Sequence, residues 1–361
     1  MTYIVKTLIF YIIILLIYFI ASQYNMKNKK ITYKVILILT LIMSSYSIIS
    51  TAHPYVMDKR VYAIKFSKDI YLEQVKSEST GLYYLEDNMH RITHNPDILF
   101  FAVAFIYTFI TLVAYKKSKR AKPFALLLLL LSEYMFFGFY QLKQCLAIAL
   151  VTLGMVEHEN EHKVKAYLLI ALAIIFHEAA LITIPLLIML KGSDNKLIRI
   201  LEYIGFILIV LFFYPLTSLL VKIFIKIIPS LAYQLTIYIN DSGNFITDIN
   251  FLTALKGLPF YVITFVGLIK RKELIEKIPN YDKYLTITFY ISITIILSTY
   301  MYWFFRFGTF YYLFAFILAQ ELFENIKDPK NKLLFLILTV GVLLGLGIKL
   351  WLQYYFIYGG V

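Results

Sequence analysis

Long runs of apolar residues, separated by short polar segments, follow one another along the whole chain. The runs are continuous and reach roughly 18–25 residues, the length that lets an α-helix cross about 30 Å of hydrocarbon. Strands of a membrane barrel would instead alternate over about 10 residues. The candidate spans are 3–21, 34–52, 98–115, 123–140, 142–157, 166–190, 198–219, 251–269, 284–302, 309–323 and 332–350. This pattern predicts an all-α polytopic membrane protein.

The predicted architecture is a helical bundle of about 11 to 12 transmembrane helices, forming a single transmembrane domain over 1–361. Composition agrees, because 60% of the residues are hydrophobic and the mean hydropathy is +0.74. The first run, 3–21, is interpreted as a retained span and not as a cleaved signal peptide. A single cysteine, Cys145, excludes an intrachain disulfide and a cysteine metal cluster.

Basic residues concentrate in the short segments between spans and account for the net charge of +13. Four such segments are rich in lysine: 22–34, 116–122 (KKSKRAK), 270–283 and 324–332. The positive-inside rule places all four in the cytoplasm and the N-terminus outside. Because the charge follows this loop pattern, nucleic-acid binding is not expected.

The segment 222–239 is a weaker twelfth candidate, interrupted by Lys222, Lys226 and Pro229. Two cytoplasmic loops, 116–122 and 270–283, require an even number of crossings between them. A crossing at 222–239 satisfies this parity, and a re-entrant or interfacial helix there is the alternative. The longest polar segment, 53–97, then lies outside, where we expect short helices over the external mouth of the bundle.

Ionisable residues inside membrane spans indicate functional positions by default. The candidates within or next to the confident spans are Glu133, Lys143, His177, Glu178, Lys256 and Arg306. His177 and Glu178 fall near the middle of span 166–190, deeper than the others. A zinc-protease motif needs a second His at i+4, and Leu181 stands there, so no metal site is predicted. His177 serves either a site or a hydrogen bond to a neighbouring helix.

Two cations lie at the predicted outer ends of their helices. Lys143 and Gln144 stand in the first turn of span 142–157, where the helix dipole adds a positive field suited to an anion such as phosphate. Arg306 lies among aromatic residues in YMYWFFRFGTFYYLF, where a guanidinium can grip a pyrophosphate or carboxylate. For both residues, a side chain that snorkels to the interface is the alternative.

In order and spacing, these residues resemble the EpsG/Wzy-type polymerases of bacterial surface polysaccharides. That family carries an Arg-Gln-x-x-Ala helix start, a Phe-His-x-Ser/Ala-Ala span and a late Arg followed by aromatics. The corresponding residues are Lys143, Gln144 and Ala147; Phe176, His177, Ala179 and Ala180; and Arg306, Tyr311 and Tyr312. An early Asp-x-x-x-Tyr is present as Asp58 and Tyr62. Lys143 departs from the pattern, because lysine keeps the charge but lacks the bidentate fork of arginine.

The resemblance implies a GT-C-like, metal-independent glycosyltransferase without cofactors in the bacterial inner membrane, with its site facing the periplasm or cell exterior. It would join undecaprenyl-pyrophosphate-linked oligosaccharide repeat units into O-antigen, capsule or exopolysaccharide, with a chain-length regulator as a possible partner. His177, Arg306 and Asp58 become the expected catalytic residues. Lys143, Gln144, Arg306, Tyr62, Tyr311 and Tyr312 become the expected contacts to pyrophosphate and sugar.

Two other membrane functions fit the span count. A flippase for lipid-linked oligosaccharides, or another secondary transporter, has paired repeats and helices broken at the midplane. No such repeat is visible in the sequence, and the polar residues gather outward beneath a long external loop. An O-antigen ligase would use similar chemistry but usually carries its long external loop late in the chain. Both readings remain alternatives to the polymerase.

Overall fold

The structure, a computed structural model, describes residues 3–51, 62–64, 66–67, 80–135, 141–184, 186–187, 200, 204, 208, 255–298 and 304–348. Within these residues the chain is helical and contains no strand, as the apolar pattern predicts. The chain divides into two compact units, Met1–Thr183 with Phe310–Val361, and Ile184–Thr309. The prediction of a single transmembrane domain over 1–361 stays a prediction. The segment 222–239, the twelfth candidate span, lies outside the described residues.

The first unit contains most of the described helices. They are α1 Tyr3–Met26, α2 Tyr33–Thr51, α3 Thr80–His90, α4 Pro96–Lys117, α5 Pro123–Leu131, α6 Leu142–Glu159, α7 Lys163–Phe176, α11 Tyr312–Asn325 and α12 Pro329–Leu336. A 3-10 turn, Glu178–Ile182, follows α7, and a π turn, Ile337–Gly341, continues α12. Capping residues and prolines in the sequence determine where several of these helices begin. In α4, Asn95 caps the helix by accepting from the Asp97 N–H, and Pro96 occupies the first turn.

Three described helices are long and apolar enough to cross a membrane: Leu8–Met26, Pro96–Lys117 and Pro329–Ile348. The helix Tyr33–Ser47 is apolar but shorter. Helix α4 is mostly buried among its neighbours, whereas only 28% of the span in α1 and 22% of the span that begins with α12 are buried. Exposed leucines and isoleucines on α1 and α12 are what a helix facing lipid requires, because hydrocarbon is as apolar as the protein core.

Helices α6 and α7 form a tight antiparallel hairpin around the turn Asn160–His162. Gly154 of α6 makes the close approach possible, because a Cβ there would lie 3.0 Å from Ile170 Cγ1 and 3.2 Å from the Ala166 carbonyl. Ala166 and Ala173 continue the small-residue surface of α7 and are fully buried. Small residues at such interfaces let membrane helices approach closely enough for extensive van der Waals contact.

Two predicted spans are not continuous helices. In the span predicted over 123–140, α5 ends at Leu131 because Ser132 takes an extended conformation, and the chain is helical again at 133–135; residues 136–140 lie outside the described residues. Ser132 Oγ donates to the Leu129 carbonyl and accepts from the Tyr134 N–H, so its side chain replaces the helical bonding pattern. The span predicted over 166–190 is likewise wrong as one helix, since α7 ends at Phe176.

The basic segments predicted to share the cytoplasmic side meet at one end of the first unit. Lys30 Nζ donates to the Ala121 carbonyl at 2.6 Å, and Lys116 Nζ donates to the Ile31 carbonyl at 2.8 Å. Lys122 pairs with Glu324 at the end of α11. Burial of its amine end, together with the charges of Lys116 and Lys122, lowers the pKa of Lys30 to about 8. Segments 22–34, 116–122 and 324–332 therefore lie on the same side, as predicted.

The second unit contains α8 Leu258–Leu274, α9 Tyr281–Leu297 and the short α10 Phe305–Thr309. Helices α8 and α9 form a hairpin. At its turn, Arg271 makes a bidentate pair with Asp282, with N···O distances of 2.9 and 2.7 Å. Tyr281 OH donates to the Gly267 carbonyl at 2.6 Å. These contacts fix the hairpin at the basic segment 270–283.

Candidate functional site

The start of α6 presents the first group of predicted site residues. Gln141 is the N-cap residue, and Lys143 and Gln144 follow in the first turn, as the sequence predicts. Gln144 is almost fully buried and Lys143 half-buried. The first turn carries no acidic residue, so the positive end of the helix dipole and the Lys143 ammonium add their fields at this point.

His177 occupies a break between two helices, and this corrects its predicted place in the middle of a span. It is the residue after α7, with φ −155° and ψ 118°, and it is also the N-cap of the 3-10 turn Glu178–Ile182. Its Nδ1 accepts a hydrogen bond from the Ala179 N–H at 3.1 Å. The side chain thus satisfies a backbone donor that the broken helix leaves without its helical partner. Glu178, next along the chain, is exposed.

The α6–α7 hairpin places His177 at nearly the same height as Lys143. Lys143 lies 17 positions before Asn160 on α6, and His177 lies 15 positions after His162 on α7. At 1.5 Å per helical residue, these positions are about 26 and about 23 Å from the shared turn. The 3-10 turn also contacts α6 directly. The sequence placed His177 deeper than Lys143, and the hairpin removes most of that difference.

Helix α3, from the predicted external segment 53–97, packs on this same end of the hairpin. A Cβ on Gly81 would lie 3.0 Å from the Phe176 ring and 3.1 Å from the Ile175 carbonyl, so α3 approaches the end of α7 closely. Leu82 and Glu86, one helical turn apart, form its buried face. The expected short helix is present in this segment as α3, and its place over the external mouth stays a prediction.

Hydrogen bonds between buried hydroxyl groups connect the segments of the first unit where helices are interrupted. Tyr134, just after the break at Ser132, has its OH 3.2 Å from Thr111 Oγ1 and 3.2 Å from Thr152 Oγ1. Thr152 is also within hydrogen-bonding distance of the Phe310 carbonyl, which precedes α11. All five residues are buried. Hydrogen bonds of this kind between helices fix their relative positions in a low-dielectric interior.

A second such bond holds the far end of the 3-10 turn. Tyr311 OH donates to Thr183 Oγ1 at 3.1 Å, and both side chains are fully buried. Thr183 is the C-cap residue of the turn, so the turn is fixed at His177 at one end and at Thr183 at the other. This contact joins residues that are 128 positions apart in the sequence.

The remaining predicted contacts of the first unit are placed as follows. Tyr312 is buried and packs edge-on against Phe316, with ring centroids 5.8 Å apart. Tyr62 is half-buried in a short helical stretch, and Asp58 lies outside the described residues. Direct substrate contact by Tyr62, Tyr311 or Tyr312 stays a prediction, as does the catalytic role of Asp58.

Arg306 lies in the second unit, on α10, and is half-buried. Its helix packs closely on α9, because a Cβ on Gly308 would lie 2.7 Å from Thr294 Oγ1 and 3.3 Å from Ile291 Cγ2. Thr309 Oγ1 donates to the Arg306 carbonyl at 2.7 Å, which closes the short helix. Glycine at 308 therefore sets the position of the backbone that carries Arg306. A site shared by Arg306 with Lys143 and His177 stays a prediction.

Sequence reasoning did not anticipate the ion cluster at the opposite end of the first unit. The Glu157 carboxylate is 1% exposed and lies 2.6 Å from Lys117 Nζ, 2.9 Å from Lys165 Nζ and 2.7 Å from His162 Nδ1. It joins the ends of α4, α6 and α7. The available signal was Glu157 at the end of span 142–157, followed by Lys163 and Lys165, since a carboxylate that is buried there needs cationic partners.

The hydroxyl contacts of Thr152, Thr183 and Tyr134 were also missed. Their signal in the sequence is weak, because Thr and Tyr occur throughout the apolar runs. Only the fold selects which of them meet. Among the residues that the structure describes, no group of three or more His, Cys, Asp and Glu side chains is arranged to hold a metal ion.

Comparison with known proteins identifies one family. The model of the EpsG family matches residues 55–358, which include the His177 break, the α6 start and Arg306. No curated protein matches the chain, and no solved structure matches it. The resemblance expected from the order of short motifs is therefore confirmed over most of the sequence. With its long apolar helices, the chain is a membrane protein and belongs to the EpsG family.

Proposed function

We propose that the protein is a polysaccharide polymerase that joins undecaprenyl-pyrophosphate-linked oligosaccharide repeat units at the outer face of the bacterial inner membrane. The observation that carries the proposal is the EpsG family match over 55–358, because that family points to a polymerase-type function. Supporting it, two predicted site elements, the α6 start and the His177 break, come together at one end of the first unit.

The reaction proposed is a glycosyl transfer. The oxygen of an acceptor hydroxyl forms a bond to the anomeric carbon of the donor sugar, while the bond from that carbon to the pyrophosphate oxygen breaks. Undecaprenyl pyrophosphate leaves with the bonding electrons, and the hydroxyl proton passes to a base. Negative charge develops on the departing pyrophosphate, and a cationic side chain placed there stabilises the transition state more than the ground state.

Lys143 and Arg306 are the residues proposed to meet the pyrophosphate, and Gln144 lies beside Lys143 in the first turn of α6. Two fixed cations would supply the charge that a metal ion supplies in many other glycosyltransferases, so we propose a metal-independent reaction without a cofactor. Asp58 is proposed as the base, and Tyr62 and Tyr312 as sugar contacts. A chain-length regulator is the proposed protein partner.

Deletion of the gene tests this function against its alternatives, with surface polysaccharide and lipid-linked intermediates analysed on gels. We expect the deletion strain to carry single repeat units and no polymer, with polymer restored by the wild-type gene. Loss of even the single unit from the surface would indicate a flippase, and long polymer retained on the carrier lipid would indicate a ligase. Either pattern would contradict the polymerase assignment.

Arg306→Lys and Arg306→Ala refine the test. If the guanidinium grips the pyrophosphate through its fork, lysine should restore only a small part of the polymer that alanine removes. Protein levels in the membrane fraction serve as the control. A normal polymer ladder from Arg306→Ala at normal protein level would remove Arg306 from the site.

A further inference from the structure

The histidine at the break in the first unit has a fixed hydrogen-bonding state. The Ala179 backbone N–H is a donor, and it points at His177 Nδ1 at 3.1 Å. A ring nitrogen that accepts a hydrogen bond carries no proton, so in a neutral imidazole the proton must be on Nε2. His177 in this position is therefore the neutral Nε2–H tautomer. Its Nε2 is a donor, and it has no nitrogen with which to remove a proton from a substrate hydroxyl.

From this geometry we infer that His177 acts in the glycosyl transfer as a neutral hydrogen-bond donor through Nε2–H, while its Nδ1 caps the 3-10 turn. The inference rests on the proposed function and deepens it. It assigns the histidine to an acceptor group on the substrate, such as a phosphate or sugar oxygen, and leaves the base role to a carboxylate. No proton is transferred by His177 in this assignment.

The surrounding contacts give this donor a fixed position. The turn that His177 begins is anchored at its other end by the Tyr311–Thr183 hydrogen bond, and Ala180 between them is fully buried. The α6–α7 hairpin sets the turn beside the start of α6, which carries Lys143 and Gln144. A donor held on two sides loses little conformational freedom when it binds, and such preorganisation is what electrostatic catalysis requires.

Two substitutions separate the roles of the two ring nitrogens. In His177→Asn, the amide oxygen can cap the turn in place of Nδ1, but nothing reaches the position of Nε2. In His177→Gln, the amide nitrogen reaches toward the position of Nε2, but the cap is lost. His94→Asn, at an exposed position in the described part of the chain, is the matched control.

We expect His177→Asn to unfold at the wild-type temperature and to form polymer at least ten-fold more slowly. His177→Gln should unfold at a lower temperature but keep more activity per folded molecule than His177→Asn. The control variant should behave as wild type. Wild-type polymer formation by His177→Asn would show that capping the turn is the only role of His177. Complete loss of polymer formation in both His177→Asn and His177→Gln, with both proteins folded, would assign His177 as the base. Either result overturns the inference.

The tautomer is tested without any activity measurement. Nitrogen-15 NMR of protein labelled at its 6 histidines, compared with the His177→Asn variant, isolates the His177 signals. We expect an unprotonated Nδ1 and a protonated Nε2 at neutral pH. A protonated Nδ1 would overturn the inference even if the deletion strain shows the polymerase pattern. If the deletion strain makes normal polymer, the proposed function fails while the tautomer result still stands.

Discussion

Side chains complete the backbone hydrogen bonding at two helix breaks in the described part of this protein. Ser132 bonds back to the Leu129 carbonyl, and His177 accepts from the Ala179 N–H. Tyr311 donates to Thr183 inside the first unit, and its predicted contact with sugar stays a prediction. In a membrane these bonds matter because no water is available to satisfy an open backbone group. Polar residues in apolar runs are therefore positions where the fold departs from a simple helix.

The Tyr311–Thr183 bond can be measured by a double-mutant cycle. Tyr311→Phe and Thr183→Val each remove one partner, and each should lower the unfolding free energy by about 1 kcal/mol, the usual net value of a buried hydrogen bond. The double variant should lose less than the sum of the single losses, because the two groups share one interaction. Thermal unfolding in detergent is the measurement. Additive losses would show that the bond does not form.

Lys143 gives a second prediction at this scale. Lys143→Met removes the charge at the α6 start and should lower polymer formation at least ten-fold, whereas Lys143→Arg should preserve it, because arginine adds a bidentate fork to the same charge. Polymer length and yield on gels, at matched protein level, are the readout. Full activity in Lys143→Met would contradict an anion-binding role for this residue.

Helix packing in the first unit depends on small residues and on the points where helices are interrupted. The α6–α7 hairpin closes over Gly154, and α3 closes over Gly81. Because α7 stops at Phe176, the turn that follows it remains beside the α6 start and does not continue as a regular helix. The break and the close packing together determine which polar residues share one end of the unit.

Gly154→Leu tests the hairpin, with Gly345→Leu as the control. A side chain at 154 would collide with Ile170 and the Ala166 carbonyl, whereas a Cβ at 345 on the apolar continuation of α12 meets nothing within 4 Å. We expect Gly154→Leu to cost roughly 1–3 kcal/mol or more through overpacking, and to lower the unfolding temperature and polymer yield. Gly345→Leu should change neither. Equal effects of the two substitutions would refute the tight approach.

Glu157→Gln tests the ion cluster that joins α4, α6 and α7. Removing the carboxylate charge leaves Lys117 and Lys165 facing each other without a counter-ion, so the protein should lose stability by about 1–3 kcal/mol, less than a fully buried pair because the lysines are partly exposed. Glu161→Gln, at an exposed position in the neighbouring turn, should have little effect. Unfolding in detergent at low and high salt is the measurement. Equal stability of the two variants would contradict this prediction.

At the scale of the molecule, the first unit has two chemically different ends. One end collects the basic segments, with Lys30, Lys116, Lys117 and Lys122 bonded to neighbouring segments. The other carries α3, the α6 start and the His177 turn. The positive-inside rule predicts that the first end lies in the cytoplasm and the second outside, and this orientation stays a prediction.

Cysteine labelling tests that orientation. The single native cysteine, Cys145, is fully buried, so the wild-type chain should give little background. Ile92→Cys, at an 80% exposed position after α3, should react with a membrane-impermeant maleimide in intact cells. Lys119→Cys, exposed in the basic segment, should react only after the membrane is opened. The reverse pattern would invert the topology and place the candidate site in the cytoplasm.

Much of the architecture was predictable because the bilayer imposes simple requirements. Apolar run lengths predicted the positions of α1, α2, α4, α6, α8, α9, α11 and α12, and the lysine-rich segments predicted which loops lie together. The family followed from the order of short motifs between Asp58 and Tyr312, and the match over 55–358 confirms it. These features depend on local composition and chain order, which a sequence states directly.

The sequence by itself determined the membrane class, the helical architecture, the family and the residues worth testing. Only the tertiary structure decided where the helices break and which polar groups meet. Hydropathy measures how apolar a segment is and not whether its helical backbone hydrogen bonds continue. The segment 166–190 was therefore predicted to be one helix. Its interruption at His177 involves a side chain that caps a turn and a tyrosine hydroxyl 128 positions away from Thr183. Such contacts depend on packing in three dimensions.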